Sequence, residues 1–156
     1  MIVVSDTSCL SNLLTVGHVH LLAQLFGEII VPPAVEEELK RFHPTIPEFV
    51  KCVTPQNVSF LARLRTELHR GEAEAICLAR ELNADRLLID EKRGREVALR
   101  EGIAIIGIVG VLVSSKQKGH LSSVTHVLEQ LESQAGFRLS STVKATALRA
   151  VGETGG

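Results

Sequence analysis

The fold is decided by Ile2-Val3-Val4-Ser5-Asp6 and by its counterpart Arg86-Leu87-Leu88-Ile89-Asp90. In both stretches a short apolar run ends at an aspartate, and a helix-like segment follows. Such runs are typical of strands that are buried on both faces of a parallel sheet. Ligands bind at the carboxyl ends of strands in these sheets. Because the chain has only three aspartates, two at strand ends predict a site that suits a hard cation.

The chain as a whole alternates strand-like and helix-like segments. The predicted strands are residues 2–5, 28–31, 86–89 and 103–106. The predicted helices are one containing Leu10, Leu13 and Leu14, then 18–26, 34–42, 57–69, 72–82, 91–101, 107–118 and one around 124–131. This alternation predicts an α/β protein with a parallel sheet of four to five strands sandwiched by helices, a Rossmann-like three-layer arrangement with right-handed crossovers.

The length of 156 residues fits one domain. We assign residues 1–138 to it and residues 139–156 to a partly disordered extension that ends in a frayed tail from Gly152. Residues 43–56 contain three prolines and are predicted to be irregular.

Composition limits the possible partners. The formal net charge of −1 predicts no global positive field, so nucleic acid would have to bind through local patches. Trp and Tyr are absent and only five Phe occur, which argues against stacking of bases on aromatic platforms. Three widely spaced cysteines in apolar surroundings fit a reducing compartment. No apolar stretch approaches the roughly 20 residues that span a bilayer, and we expect a cytoplasmic protein.

Helical phase selects among the many glutamates. At about 100° per residue, Glu38 lies at the edge of the stripe formed by Val35, Leu39 and Phe42, whereas Glu36 and Glu37 lie away from it. The alternative for Glu38 is a solvated acidic face.

In the helix predicted over residues 72–82, Glu72 falls within the apolar face, and Glu74 and Glu81 point the opposite way. The alternative for Glu72 is an N-terminal charge that stabilises the helix dipole.

The aspartates also have structural interpretations. Asp90 could cap the helix that follows it, and Asp6 could form a local turn with Ser8. The combination of Asp6, Glu38, Glu72 and Asp90 favours a site, because four converging carboxylates repel one another unless cations lie among them.

A basic cluster, Lys92, Arg93 and Arg95, follows Asp90 and could hold a phosphodiester beside the cation; ordinary solvated surface is its alternative interpretation. Zinc-protease, dinucleotide-binding, P-loop and hydrolase-elbow motifs are absent from the sequence.

Four segments together resemble the PIN-domain family, and more narrowly the VapC-like toxin ribonucleases. They are Val3-Val4-Ser5-Asp6-Thr7-Ser8, Ile30-Val31-Pro32-Pro33-Ala34-Val35-Glu36-Glu37-Glu38-Leu39, Gly71-Glu72-Ala73-Glu74-Ala75-Ile76 and Leu88-Ile89-Asp90-Glu91-Lys92-Arg93-Gly94-Arg95. They occur in the family's order and spacing, and the resemblance covers roughly residues 1–135.

The resemblance implies a metal-dependent endoribonuclease with a parallel sheet flanked by helices. Asp6, Glu38, Glu72 and Asp90 would be catalytic and would bind Mg²⁺ or Mn²⁺, with Glu72 at a position where many members carry Asp. Thr7, Ser8, Lys92, Arg93 and Arg95 would contact the substrate phosphate. The resemblance further implies an RNA substrate, a small antitoxin protein as partner, and a homodimer.

Two other classes remain open at this stage. One is a catalytically weak PIN-like module that binds RNA or a protein partner, for which the Glu at position 72 leaves room. The other is a phosphotransfer domain. That class ranks low because a phosphatase of this type needs a second Asp two residues after the first, where Ser8 stands.

Overall fold

The computed structural model describes residues 1–153, in which a five-stranded sheet has every neighbouring pair of strands parallel. Residues 154–156, the end of the predicted frayed tail, lie outside the described residues. The strands are β1 (Val3–Ser5), β2 (Ile29–Val31), β3 (Val50–Cys52), β4 (Arg86–Leu88) and β5 (Ile105–Ile106). They lie in the order β3-β2-β1-β4-β5. The predicted α/β class and parallel sheet are confirmed.

Nine helices surround this sheet within residues 1–153. They are α1 (Thr7–Thr15), α2 (His20–Phe26), α3 (Pro33–Phe42), α4 (Val58–Leu64), α5 (Arg70–Glu81), α6 (Lys92–Arg100), α7 (Ile108–Gln117), α8 (Val124–Gln134) and α9 (Ser141–Ala150). In this part of the chain, none of them combines the length and the apolar character that crossing a bilayer requires.

The apolar residues of the strands supply two separate cores. Side chains alternate across a strand, so Val3 and Leu88 pack with α1, α2, α7 and α8, while Val4 and Leu87 pack with α4, α5 and α6. All four side chains are fully buried. Burial on both faces explains why the central strands are mostly apolar, with Ser5 at the end of β1 and the exposed Arg86 at the start of β4 as the polar residues.

The strand order reverses direction at β1. The chain moves from β1 outward through β2 to β3, and then returns to place β4 on the other side of β1. Open α/β sheets bind ligands in the crevice beyond the carboxyl ends of the strands at such a point. Asp6 follows β1 directly and Asp90 lies two residues after β4, so both acids lie at this crevice.

Two predicted elements are corrected by the structure. Residues 43–56, predicted to be irregular, contain β3, an edge strand that pairs with β2 through Ile30 and Lys51. The helix predicted over residues 57–69 ends at Leu64. A short, half-exposed edge strand has little apolar pattern of its own, because its pairing depends on the register of its neighbour.

Helix α5 is buried around its whole circumference, since residues 71–79 are all buried. The prediction placed Glu74 opposite the apolar face, and the structure fills that side with α3. The Glu74 carboxylate accepts hydrogen bonds from the Ala34 backbone N–H at 3.1 Å and from Arg70 Nε at 2.9 Å. Glu74 therefore satisfies the first turn of α3 and stabilises the packing of the two helices.

Beyond residue 138, Ser141–Ala150 form helix α9, which packs on α7, and Glu153 follows it. Its carboxylate accepts hydrogen bonds from the backbone N–H groups of Val124 (2.8 Å) and Thr125 (2.9 Å), and Lys116 Nζ lies 3.0 Å away. Burial alone would raise the pKa of Glu153, but these donors outweigh it and lower the pKa to about 2. Glu153 thus caps α8 and holds the C-terminal segment against the rest of the protein.

We expect Glu153→Gln to lower the free energy of unfolding at pH 7 by about 1–2 kcal/mol, because a neutral amide replaces the charged acceptor. The folded-state pKa lies below its usual value, so this stability is present above about pH 4.5 and is lost as the pH falls toward 2. Urea unfolding at pH 7 and pH 3 measures both effects. Glu129→Gln, at an exposed position of α8, is the control; equal stability of the two variants at pH 7 would contradict the capping role.

Candidate metal and nucleic-acid site

Asp6 is 2% exposed and begins α1, where its Oδ1 accepts a hydrogen bond from the Cys9 backbone N–H at 3.1 Å. Burial raises the pKa of Asp6 to about 7, and the nearby charge of Asp90 adds to the shift. Capping of α1 accounts for the position of one carboxylate oxygen of Asp6. It does not explain why an acid, and not a neutral Ser or Asn, occupies so buried a position.

Asp90 lies beside Asp6 across the side chain of Cys9. Its two carboxylate oxygens both accept from the Ile108 backbone N–H at 3.2 Å, at the start of α7, and the Cys9 thiol donates to Oδ2 at 3.1 Å. Asp90 therefore caps α7, which is a different helix from the one that follows it in sequence. Burial, with the charges of both aspartates, raises the pKa of Cys9 well above its usual value, so this thiol stays protonated and able to donate.

Glu72 lies in the first turn of α5 and is 4% exposed. Its Oε1 is 3.0 Å from His69 Nε2, while Oε2 is buried and has no hydrogen-bond partner within residues 1–153. Burial raises the pKa of Glu72 to about 8, and the adjacent Glu91 contributes next. A charge that only stabilises the helix dipole would lie at the surface. That interpretation therefore does not account for a Glu72 carboxylate that is buried and has one oxygen unpaired in the described chain.

Glu38 faces the same place from α3. A side chain at Gly71 would put its Cβ 2.8 Å from Glu38 Oε1, so the absence of one leaves room for this carboxylate. The two acids that precede Glu38 in sequence make surface ion pairs, Glu36 with Lys40 at 3.3 Å and Glu37 with Arg70 at 2.8 Å. Of the three, Glu38 is the one that lines the cleft.

These acids share a cleft of about 310 Å³ at the carboxyl end of β1. Its lining residues are Asp6, Thr7, Ser8, Ser11, Asn12, Glu38, Phe42, His69 and Glu72. Asp90 opens into a neighbouring cleft of about 350 Å³ together with Arg95, Gly107 and Phe137. Three of the four predicted acids therefore meet in one cleft, and the fourth joins them through Cys9.

Phe42 differs from its predicted place. Helical phase predicts Phe42 in the buried stripe of its helix, but its side chain is 70% exposed and lies at the rim of the acidic cleft. Phe42 is the last residue of α3, and the buried residues of this helix end at Leu39. An exposed aromatic ring at this rim offers a stacking surface, which composition alone argued against.

A family model described as a PIN domain matches residues 2–153 of the chain. The chain belongs to the PIN-domain family. The match includes α9 and Glu153, whereas the resemblance of the four sequence segments extends only to about residue 135; the domain boundary at residue 138 stays a prediction. No curated protein matches the chain. PIN domains are typically nucleases and generally use divalent metals.

The cleft of this PIN domain fits a divalent cation. Three buried side-chain oxygens lack a hydrogen-bond partner within residues 1–153, and two of them, Thr7 Oγ1 and Glu72 Oε2, lie at this site; the third is Ser115 Oγ in α7. Buried polar atoms are rarely left unpaired, and each such atom calls for a ligand, a water or an ion. With the carboxylates of Asp6 and Glu38 beside them, the donor set is made of hard oxygen ligands, which suit Mg²⁺ or Mn²⁺.

The predicted phosphate-binding residues are not equivalent in this PIN domain. Arg95 Nη1 is 3.9 Å from Asp90 Oδ1 and lines the same cleft. Arg93 contacts Glu67 at 2.5 Å and Glu96 at 3.5 Å, away from the acids. Lys92 and Ser8 are exposed, and Ser8 borders the acidic cleft. The geometry thus favours Arg95 over Arg93 as a substrate contact.

Three side chains at this site were missed from sequence. Cys9 bridges the two aspartates, and His69 and Glu91 both lie beside Glu72. The position of His69 beside Glu72 could have been predicted, because residues three apart share one face of a helix and helical phase places Glu72 on the inward face. Glu91 directly follows Asp90, but its approach to Glu72 depends on how α5 and α6 pack, and the sequence carries no signal for this.

Proposed function

We propose that this protein is a metal-dependent endoribonuclease that hydrolyses RNA phosphodiesters. The observation that carries the proposal is the group of four carboxylates at the strand-order reversal, of which Asp6 and Glu72 are buried and Glu38 and Asp90 are half-buried. Asp6, Glu38 and Glu72 line one cleft, and Asp90 lies beside it. When bound, a divalent cation neutralises these acids and polarises both the phosphodiester and the attacking water. The family's typical nuclease activity supports the reaction class.

The side chains have separate roles in this proposal. Asp6 and Glu72 would hold the cation, and the Cys9 N–H keeps Asp6 in a fixed orientation. Thr7 Oγ1 has its donor free within residues 1–153 and would donate to a phosphate oxygen. Arg95 would offset negative charge that develops on the phosphoryl group. Glu38 reaches the same cleft from α3 and would complete the cation's ligand set or orient the water.

The test is cleavage of mixed RNAs by the purified protein, with added Mg²⁺ or Mn²⁺ and with a chelator. We expect cleavage that the chelator abolishes and either cation restores. Isothermal titration with Mn²⁺ separates the proposal from the alternative of a binding module, because that class would bind RNA without binding metal. Absence of both metal binding and cleavage would reject the nuclease.

The finer proposal is that the nuclease is the toxin of a toxin–antitoxin pair, with a small antitoxin as partner and a homodimer as its assembly. It is supported by the resemblance of four ordered segments to that subgroup. Expression in a bacterial host should arrest growth, and Asp90→Asn should relieve the arrest. Arrest that survives this change would count against a catalytic toxin.

Among the basic residues, we expect Arg95→Ala to lower kcat/KM for RNA cleavage by about tenfold, because the guanidinium faces the cleft beside Asp90. Arg93→Ala should stay within about twofold, because its guanidinium pairs with Glu67 and Glu96. The two variants remove the same charge from the same helix and so control for net charge. Equal losses in initial-rate measurements would mean that general electrostatic attraction, and not position, is responsible.

A further inference from the structure

Three side chains from two segments converge beside the acidic cleft. His69 immediately precedes α5, Glu72 lies in the first turn of α5, and Glu91 immediately precedes α6. His69 Nε2 is 3.0 Å from Glu72 Oε1 and 3.7 Å from Glu91 Oε2. One ligand atom from each of the three lies within 4.8 Å of the others. The group combines one nitrogen and two carboxylate donors around a small space.

His69 Nε2 and Glu72 Oε1, 3.0 Å apart, have the spacing of two ligands around one ion, and Glu91 Oε2, 3.7 Å from the same nitrogen, lies just beyond it. Metal–ligand bonds to His nitrogen and carboxylate oxygen are about 2.0–2.2 Å, which places neighbouring ligand atoms about 3–3.6 Å apart. The simpler interpretation is an ion pair between His69 and Glu72. That interpretation accounts for one imidazole and one carboxylate, but it leaves the second carboxylate, Glu91, held against the first.

A second observation points to a ligand. Glu72 is 4% exposed, and its Oε2 makes no hydrogen bond to any residue in the 1–153 range. This oxygen lies close to Gly94 of α6, where a Cβ would be only 3.1 Å from it. A buried carboxylate beside another carboxylate requires a proton or a cation. A cation held by His69 and Glu91 would satisfy it.

The nitrogen donor decides which cation. Mg²⁺ prefers oxygen ligands in a near-ideal octahedron, whereas imidazole suits first-row transition ions, whose affinities rise from Mn²⁺ to Cu²⁺ and fall again at Zn²⁺. We propose that His69, Glu72 and Glu91 form a subsite for a first-row transition dication that discriminates against Mg²⁺. The subsite shares Glu72 with the proposed nuclease site and so deepens that proposal, but its metal binding does not depend on cleavage.

The exposure of the subsite fits an open coordination sphere. The His69 side chain is 62% exposed and that of Glu91 is 54% exposed, while Glu72 is buried. Three protein ligands with one open side are typical of sites that exchange water or substrate at the metal. The free positions face solvent beside the acidic cleft, where an RNA phosphate would pass.

The test uses Mn²⁺ and Mg²⁺ as probes on the full-length protein. We expect pulsed EPR of the Mn²⁺-loaded wild type to show coupling to an imidazole nitrogen, and His69→Gln to lose it. In isothermal titration, His69→Gln should weaken Mn²⁺ binding by about tenfold or more and change Mg²⁺ binding by less than about threefold. His126→Gln, at an exposed position of α8, is the matched control and should change neither.

Glu91→Gln provides a second variant that keeps the imidazole. It should weaken Mn²⁺ binding while nitrogen coupling persists at saturating Mn²⁺. Lack of nitrogen coupling in the wild type, coupling that survives His69→Gln, or parallel losses of Mn²⁺ and Mg²⁺ affinity would each overturn the subsite. A wild type that shows the coupling but cleaves no RNA would reject the nuclease alone, and cleavage without the coupling would reject the subsite alone.

Discussion

Asp6→Asn is expected to reduce metal-dependent RNA cleavage by about 10²–10³-fold or more. The amide keeps the shape of the side chain but removes the negative charge that would hold the cation at the end of β1. A neutral oxygen is a much weaker ligand for Mg²⁺. Initial rates with Mg²⁺ and with Mn²⁺ measure the effect, and a rate close to that of the wild type with either cation would contradict the proposed role.

The fold should survive this change. The side-chain oxygen of Asn can still accept the hydrogen bond from the Cys9 N–H, and Asn is as good a helix cap as Asp. Asp85→Asn is the matched control, because Asp85 is an exposed aspartate whose carboxylate accepts from the Ile2 N–H at the opposite end of β1. We expect it to leave cleavage unchanged. Loss of activity in both variants would point to general damage and not to the site.

The sequence predicted the parts of this molecule that follow from local pattern. Short, mostly apolar runs that end in Asp identified β1 and β4, and the helix-like segments after them identified α1 and α6. Helical phase placed Glu38 toward the cleft and Glu36 and Glu37 toward solvent, because α3 has one buried face. The carboxyl-end rule for parallel sheets then brought the two aspartates together.

The positions that the sequence did not predict depend on which helices pack against one another. Glu74 looked like a surface residue because the phase argument assumed one buried face, but α3 covers that side of α5. Phe42 looked buried because α3 has an apolar stripe, but the stripe extends past the last packing contact. His69 and Glu91 meet only because α5 and α6 are adjacent. Proximity across elements is a property of tertiary packing, which a single sequence does not display.

The same burial that prepares Glu72 for a cation destabilises the metal-free protein. The pKa of Glu72 is raised to about 8 by burial and by Glu91, and that of Asp6 to about 7 by burial. An acid with a raised folded-state pKa stabilises the fold fully below its unfolded-state pKa, near 4–4.5. That stability is lost as the pH rises toward the folded-state value. The metal-free wild type should therefore be less stable at pH 8.5 than at pH 5.5.

Glu72→Gln should remove much of this penalty. At pH 8.5 without metal, we expect the variant to be more stable than the wild type by roughly 2–4 kcal/mol, a rise in Tm of about 5–10 °C, because no charge remains to be buried. At pH 5.5 the two proteins should differ by less than about 1 kcal/mol. Thermal unfolding in chelator at both pH values measures the difference, with Glu129→Gln as the exposed control.

Bound metal should make the wild type more stable than Glu72→Gln, which is the reverse of the order expected in chelator. A cation that binds the folded state stabilises it in proportion to its affinity, so Mn²⁺ should raise the Tm of the wild type well above its value in chelator and raise that of Glu72→Gln much less. A Glu72→Gln protein that is less stable than the wild type in chelator at pH 8.5 would mean that Glu72 serves the fold. The opposite result would mean that Glu72 destabilises the metal-free fold and serves metal binding.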